Sequence, residues 1–244
     1  MSDSLSHIPT GAWKFDETVG ECFDDMVERS VPLYRETLDL LARMAIPHLG
    51  SGRSGTMVDL GCSNGNAIDR ILSVASEDPK NGKIRVVGVD REQHMLDRCR
   101  ARHGATIELI KHDLSEPLPY RIHALKPDCV FLLWTAQFIA LEHRARLFRE
   151  IRESISPSGA LFVAEKLRGQ TSRFQNALDR QYRDFKVRNG GYSREAVDAK
   201  AKSLEGVLVS LSAPEQKQFM QNEGWSVEEV TRYLGFASYY CIPR

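Results

Sequence analysis

Two carboxylates, Asp90 and Asp113, each follow a short apolar run, and both lie downstream of the segment Asp59-Leu60-Gly61-Cys62-Ser63-Asn64-Gly65. A glycine where a strand turns into a helix lets backbone pass close to a ligand, because no Cβ intervenes. A carboxylate at the tip of the next strand accepts hydrogen bonds from both hydroxyls of a ribose. Asp113, one strand further on, is placed to take the amino group of an adenine. The dinucleotide fingerprint GxGxxG is absent, since Cys62 and Ser63 stand where a second glycine and its neighbour would be. A nucleoside ligand without pyrophosphate is therefore expected.

These residues need a sheet to bring them together. Thr56 to Leu60, Lys83 to Asp90, Thr106 to Ile110, Asp128 to Trp134 and Ala160 to Glu165 read as strands, alternating with amphipathic helical stretches. Asp128 to Trp134 is the most apolar run of the chain, as a central parallel strand buried on both faces requires. Such alternation predicts a doubly wound α/β sheet, Rossmann-like and mostly parallel. Val227 to Tyr233 and Ala237 to Ile242 close it as an antiparallel pair. Around the sheet, Glu17 to Ser30 and Leu33 to Leu49 show helical spacing, with Pro47 and the loop Gly50 to Gly55 ending the second run. Ser172 to Arg188 and Arg194 to Val209 read as helices split by Asn189-Gly190-Gly191, and Ala213 starts a further helix that ends at Gly224. The expected organisation is one domain over 1–244: a helical lid (1–55), a cofactor-binding core (56–165), a helical insertion on the ligand side (168–210), and a C-terminal helix with closing strands (213–244).

Composition narrows the function classes. In 244 residues, Lys plus Arg and Asp plus Glu number 33 each, so the formal charge is zero and no global field gathers nucleic acid or anionic lipid. Direct nucleic-acid binding is not expected. No uncharged apolar stretch is long enough to span a membrane. Met1 to Trp13 lacks the basic start and apolar core of a secretory signal, so a cytoplasmic protein is expected. The five cysteines are odd in number and never paired as CxxC, a pattern of reduced thiols rather than of a disulfide framework or a metal site.

A glycine turn, an acid after the second strand and an acid after the third, in order at consecutive strand ends, form the class I S-adenosylmethionine pattern. The expected contacts of that cofactor at these strand ends are Asp59, Gly61, Cys62, Ser63, Asp90, Arg91, Asp113 and Leu114. Methyl transfer is an in-line displacement at a sulfonium carbon, so the protein chiefly holds nucleophile, methyl and sulfur collinear. Aromatic faces hold the sulfonium cation, and Trp134, Tyr34, Phe15 and Trp13 are candidates. Trp134, Gln137, Tyr34 and Glu165 are the expected catalytic set, with Glu165 orienting an amine or hydroxyl of a small-molecule acceptor. Cys62 serves by being small.

Several segments resemble the carboxy-S-adenosylmethionine synthases, methyltransferase-fold enzymes of a tRNA wobble-uridine pathway that use prephenate to carboxylate the cofactor's methyl group. The likeness runs through Trp13 to Glu17, Phe23 to Tyr34, Asp59 to Ser63, Thr135 to Phe138, Glu165-Lys166, Asp184 to Lys186, Asn189 to Ser193 and Ser203 to Glu205. It implies a shared fold, a homodimer and a shared cofactor site, in which Tyr34 and Leu133 join the expected cofactor contacts. Two positions depart from the pattern. The family's carboxylate-binding arginine is Ala201 here, flanked by Lys200 and Lys202, and its asparagine near the end of the fourth strand is Leu133 followed by Trp134. Alanine cannot replace a bidentate guanidinium. The expectation from sequence is thus a relative that uses ordinary S-adenosylmethionine and transfers methyl to a small acceptor. The alternative is a carboxy-S-adenosylmethionine synthase.

Overall fold

The computed structural model describes residues 11–49 and 54–244. The first ten residues and most of the loop expected between Gly50 and Gly55 lie outside the described part.

The chain alternates as its apolar patterning requires. In order it forms α1 (Glu17–Ser30), α2 (Tyr34–Leu49), β1 (Gly55–Leu60), α3 (Asn66–Ser76), β2 (Ile84–Asp90), α4 (Gln93–His103), β3 (Glu108–Lys111) and α5 (Tyr120–Leu125). It continues through β4 (Cys129–Leu133), α6 (Leu141–Ser154), β5 (Ala160–Lys166), α7 (Ser172–Arg188), α8 (Arg194–Ser203), α9 (Ala213–Asn222), β6 (Trp225–Tyr233) and β7 (Phe236–Pro243). The seven strands form one sheet in the order β3-β2-β1-β4-β5-β7-β6. β1 to β5 pair in parallel and β7 runs antiparallel to both neighbours. The strand order reverses between β1 and β4, so the connections that leave their carboxyl ends run to opposite sides of the sheet and frame the crevice in which open α/β sheets receive ligands.

Side chains alternate across each strand, and each face has its own core. Val58, Leu60, Val130, Leu132, Leu161 and Val163 pack with Ile122 of α5, Leu147, Phe148 and Ile151 of α6, and Met220 of α9. Met57, Cys129, Phe131, Ala160 and Phe162 pack with Leu38 and Leu41 of α2, Ile68 and Ile71 of α3, and Leu96 of α4. A third cluster joins Trp13, Val19, Phe23 and Met26 to Met95 of α4. It seats the N-terminal segment over the carboxyl ends of the strands. Asp16, Thr171 and Ser193 cap α1, α7 and α8 by accepting the N–H three residues on.

α2 runs Tyr34–Leu49, as the helical spacing of Leu33 to Leu49 predicts, with Pro47 inside its last turn. Two local expectations are corrected. α8 ends at Ser203 rather than Val209: Gly206 takes φ +73°, and Val209 donates its N–H to Gln137 O at 2.8 Å. The apolar spacing continues through Val207 and Leu208, but those side chains serve a non-helical segment. The short helix α5 lies between Pro119 and Pro127, where no helix was expected.

Candidate functional site

A cavity of about 720 Å³ opens at the carboxyl ends of β1, β2, β4 and β5, lined also by α1, α7 and α8. One end is built from the glycine turn and the acids that follow β2 and β3.

At the end of β1 the backbone turns through Gly61 at φ +83° and Ser63 at φ +47°, and Gly65 at φ +92° begins α3. A Cβ on Gly61 would lie 2.2 Å from Thr135 Oγ1. Ser63 carries a side chain in the left-handed region, which costs about 1–2 kcal/mol. Its N–H donates to Asp90 Oδ2 at 2.9 Å, while the Glu92 N–H donates to Asp90 Oδ1 at 2.9 Å. Asp90 therefore braces the turn while lining the cavity. Burial pushes its carboxyl above the usual range, against the pull of those two N–H groups.

Asp59 is 2% exposed, lines the cavity, and its Oδ2 has no hydrogen-bond partner. Burial, then the neighbouring charge of Asp90, push its carboxyl up to about 7. A buried carboxylate left short of donors is a site for a cationic group. Asp113 differs. Burial opposes its charge, but hydrogen bonds from the Ser115 N–H and hydroxyl, together with Arg91 and His112, hold its carboxyl below the usual range. Cys62, Arg91 and Leu114 complete this end, with Arg91 donating to Glu92 at 3.1 Å.

The aromatic residues singled out in the sequence also meet here. Trp134, just beyond β4, stands at φ +52°, fixed by its N–H to Ala164 O at 2.6 Å. Its ring lies 4.9 Å from that of Tyr34 at an interplanar angle of 37°, and both line the cavity with Leu133. Burial pushes the Tyr34 hydroxyl well above its ordinary range, and it accepts from Asn66 Nδ2 at 3.1 Å. Trp13 and Phe15 line the cavity and also pack as the wall of the third core cluster, Phe15 meeting Phe138 edge to face at 5.0 Å.

Asp24 on α1 was not singled out in the sequence. It accepts from Asn64 Nδ2 at 2.6 Å, Asn66 Nδ2 at 2.8 Å and Arg102 at 2.7 Å, tying α1 to the glycine turn and to α4. Its only sequence signal was its place in the N-terminal segment Phe23 to Tyr34.

Glu165 is a correction. It does not line the cavity: it is 1% exposed, on the face of β5 shared with Leu161 and Val163, and burial, with Arg144 and the N–H groups of Gln137 and Ala136 opposing, pushes its carboxyl up to about 8. It props the turn Ala136–Phe138 rather than orienting an acceptor, and it forms no ion pair with Lys166, whose side chain takes the opposite face. Gln137 does line the cavity, but its Oε1 accepts the Lys166 N–H at 2.8 Å, so it positions β5. Tyr182 lines the cavity and donates to Ser30 O at 2.7 Å, whereas Tyr192 stands outside it. Arg168 and Arg183 reach the cavity but are paired with Glu215 and Asp198. Lys166, Lys186 and Lys200 line it as well. Among the described residues no helix is long and apolar enough to cross a membrane, and no His, Cys, Asp and Glu cluster could hold a metal ion.

A methyltransferase-domain family model matches residues 57–159. Carboxy-S-adenosyl-L-methionine synthase of Wolinella succinogenes is 32% identical over 231 residues, 93% of this chain and 92% of the relative. The proteins of that name from Methylococcus capsulatus and Escherichia coli K12 are 32% and 30% identical, covering 88% and 93% of this chain and 87% and 91% of their own lengths. Among solved structures, an O-methyltransferase family protein from Burkholderia thailandensis superposes with TM-score 0.63 at 14% identity, over 93% of this chain and 60% of that one. A DhpI complex with S-adenosylhomocysteine superposes with TM-score 0.60 at 14% identity, over 93% and 94%. At such identities the superpositions show the fold alone, that of the class I methyltransferases.

Proposed function

The chain belongs to the carboxy-S-adenosyl-L-methionine synthase family, and from that premise we propose that it binds S-adenosylmethionine and carboxylates the cofactor's methyl group with a carboxylate donor of the prephenate type. The observation that carries the cofactor half of this reading is Asp90, braced by two backbone N–H groups at the rim of the glycine turn and facing the cavity. The cofactor supplies a methyl carbon activated by a positively charged sulfur. Asp90 would take the ribose hydroxyls, Asp113 the adenine amino group, and Asp59, with its unpartnered Oδ2, the ammonium of the amino acid part. Tyr34 and Trp134 would face the sulfonium. The segment carrying Trp13 and Phe15 covers the cavity and keeps water from the reacting centre.

A second reading, transfer of an unmodified methyl group to a small acceptor, is favoured by Ala201 in the cavity wall and by Leu133 where the family has an asparagine. Incubation with S-adenosylmethionine and prephenate decides between them. The expected product is the cofactor with a mass gain of one carboxyl group. Its absence at saturating prephenate, with S-adenosylhomocysteine released on an acceptor screen, would establish the second reading instead.

The state of Asp59 gives a pH expectation. Its carboxyl titrates near 7 in the free protein, and a bound ammonium holds it ionised, so binding releases a proton below that pH. Affinity for S-adenosylmethionine should rise with pH up to about 7 and level off above it, by at most about tenfold per pH unit. Titration calorimetry at pH 6 in buffers of different ionisation enthalpy should register close to one proton released. A pH-independent affinity between 5.5 and 8, ~RT-scale variation aside, would remove Asp59 from the ammonium site.

A further inference from the structure

Three amino groups meet in the part of the cavity built by β5, α7 and α8. Lys186 is 4% exposed, and its Nζ lies 4.9 Å from the centre of the Tyr182 ring; Lys166 Nζ approaches the same ring at 4.6 Å. Lys200 Nζ rests 4.6 Å from the Trp13 ring. No hydrogen bond or ion pair to a carboxylate is made by any of the three among the described residues. Aromatic faces hold the three stems in place without neutralising them.

The surrounding charges do not balance this cluster. Asp179 faces Lys166 and favours its charge, and the Cys22 thiol lies near Lys200. Burial, then the neighbouring charges of Lys200 and Lys166, push the Lys186 amine well below the ordinary range. Burial pushes Lys200 down to about 8. Arg168 and Arg183 at the cavity are engaged by Glu215 and Asp198, and Glu205 lines the cavity from an exposed position. Burying an ammonium without a partner costs several kcal/mol, and neighbouring like charges add to that. Such a cost is tolerated where a ligand completes the site. With all three amines protonated, as a bound dianion would hold them, Asp179 set against the three lysines leaves two positive charges.

We propose that Lys166, Lys186 and Lys200 form the binding site for the carboxylates of a dianionic second substrate, in place of the guanidinium that Ala201 lacks. The site rests on the reading above, in which the same cavity holds S-adenosylmethionine. Three separate ammonium groups make charge-assisted hydrogen bonds without imposing the planar geometry of an arginine fork, so they suit two carboxylates on a bulky skeleton. Alanine at 201 leaves the room that such a skeleton needs.

The test is titration calorimetry of prephenate, with and without S-adenosylhomocysteine, into the wild type and into Lys186→Met, Lys200→Met and Lys200→Arg. Methionine keeps the apolar stem and removes the charge. Each methionine variant is expected to weaken prephenate by about tenfold or more, as loss of one charge-assisted bond implies. Lys200→Arg should retain most of the affinity, and S-adenosylhomocysteine should bind all variants within about twofold of wild type. Ligand-free Lys186→Met should melt at a higher temperature than the wild type, whereas a purely structural lysine would melt lower when replaced. Prephenate binding equally to wild type and variants, failing to bind the wild type, or binding no better than the monocarboxylate phenylacetate would overturn the lysine site. Failure of S-adenosylhomocysteine to bind the wild type would instead overturn the cofactor reading, and the titration without it still decides the lysine site.

Discussion

Asp90→Ala is expected to weaken S-adenosylmethionine binding by about two to four orders of magnitude. The carboxylate would accept two ribose hydroxyls, and hydrogen bonds to a charged group contribute about 1.5–3 kcal/mol each. The same change leaves the Ser63 and Glu92 N–H groups without their acceptor, so Ser63 loses what holds it at φ +47°. Asp90→Asn keeps an acceptor for one of those N–H groups and should fall between wild type and alanine. Calorimetry gives the affinities, and circular dichroism shows that the sheet persists. An alanine variant that binds within about threefold of wild type would exclude Asp90 from the nucleoside site.

Gly61→Ala should cost both stability and binding. Two independent penalties act at this position. The backbone stands at φ +83°, where an L side chain costs about 1–2 kcal/mol. The added Cβ would also lie 2.2 Å from Thr135 Oγ1 and 2.4 Å from its Cγ2, an overlap that forces one of the two segments to move. Overpacking of this kind adds about 1–3 kcal/mol. At about 2–4 °C per kcal/mol for a chain of this size, the melting temperature should fall by roughly 4–20 °C. The displaced segment carries Ser63 on one side and Trp134 on the other, so cofactor affinity should fall with it. A melting temperature within about 2 °C of wild type would show that the turn relaxes freely.

What the sequence discloses follows from where each signal resides. Apolar runs that end in an acid are local, so β1 to β5, Asp90 and Asp113 are legible without a structure. The antiparallel closure is legible as well, because β6 and β7 follow the last parallel strand with a short turn between them. The face of β5 that carries Glu165 has no signature in the sequence. β5 is buried on both faces, so its run Ala160 to Glu165 gives no alternation to tell which side sees the cavity. The end of α8 was overrun because Val207 and Leu208 prolong a helical spacing that only Gly206 and the bond from Val209 to Gln137 interrupt. The lysine cluster was hidden because its members sit on β5, α7 and α8. In the sequence Lys200 stands out only as the neighbour of Ala201, and nothing local in the chain says that it meets Lys186. The loss of an arginine was visible, whereas the cationic surface around the vacated position was not.

The bonds from Asp24 to Asn64, Asn66 and Arg102 fasten helix α1 at a wet rim, with Arg102 and Asp24 retaining 30% and 47% of their side-chain exposure. The floor beneath is buried sheet. Opening therefore starts at the margin of the molecule, at a fraction of the free energy of global unfolding. Two of the three fastenings are residues in or next to the loop that would receive the nucleoside. A guest that settles that loop also settles the latch, so capture and closure become a single event.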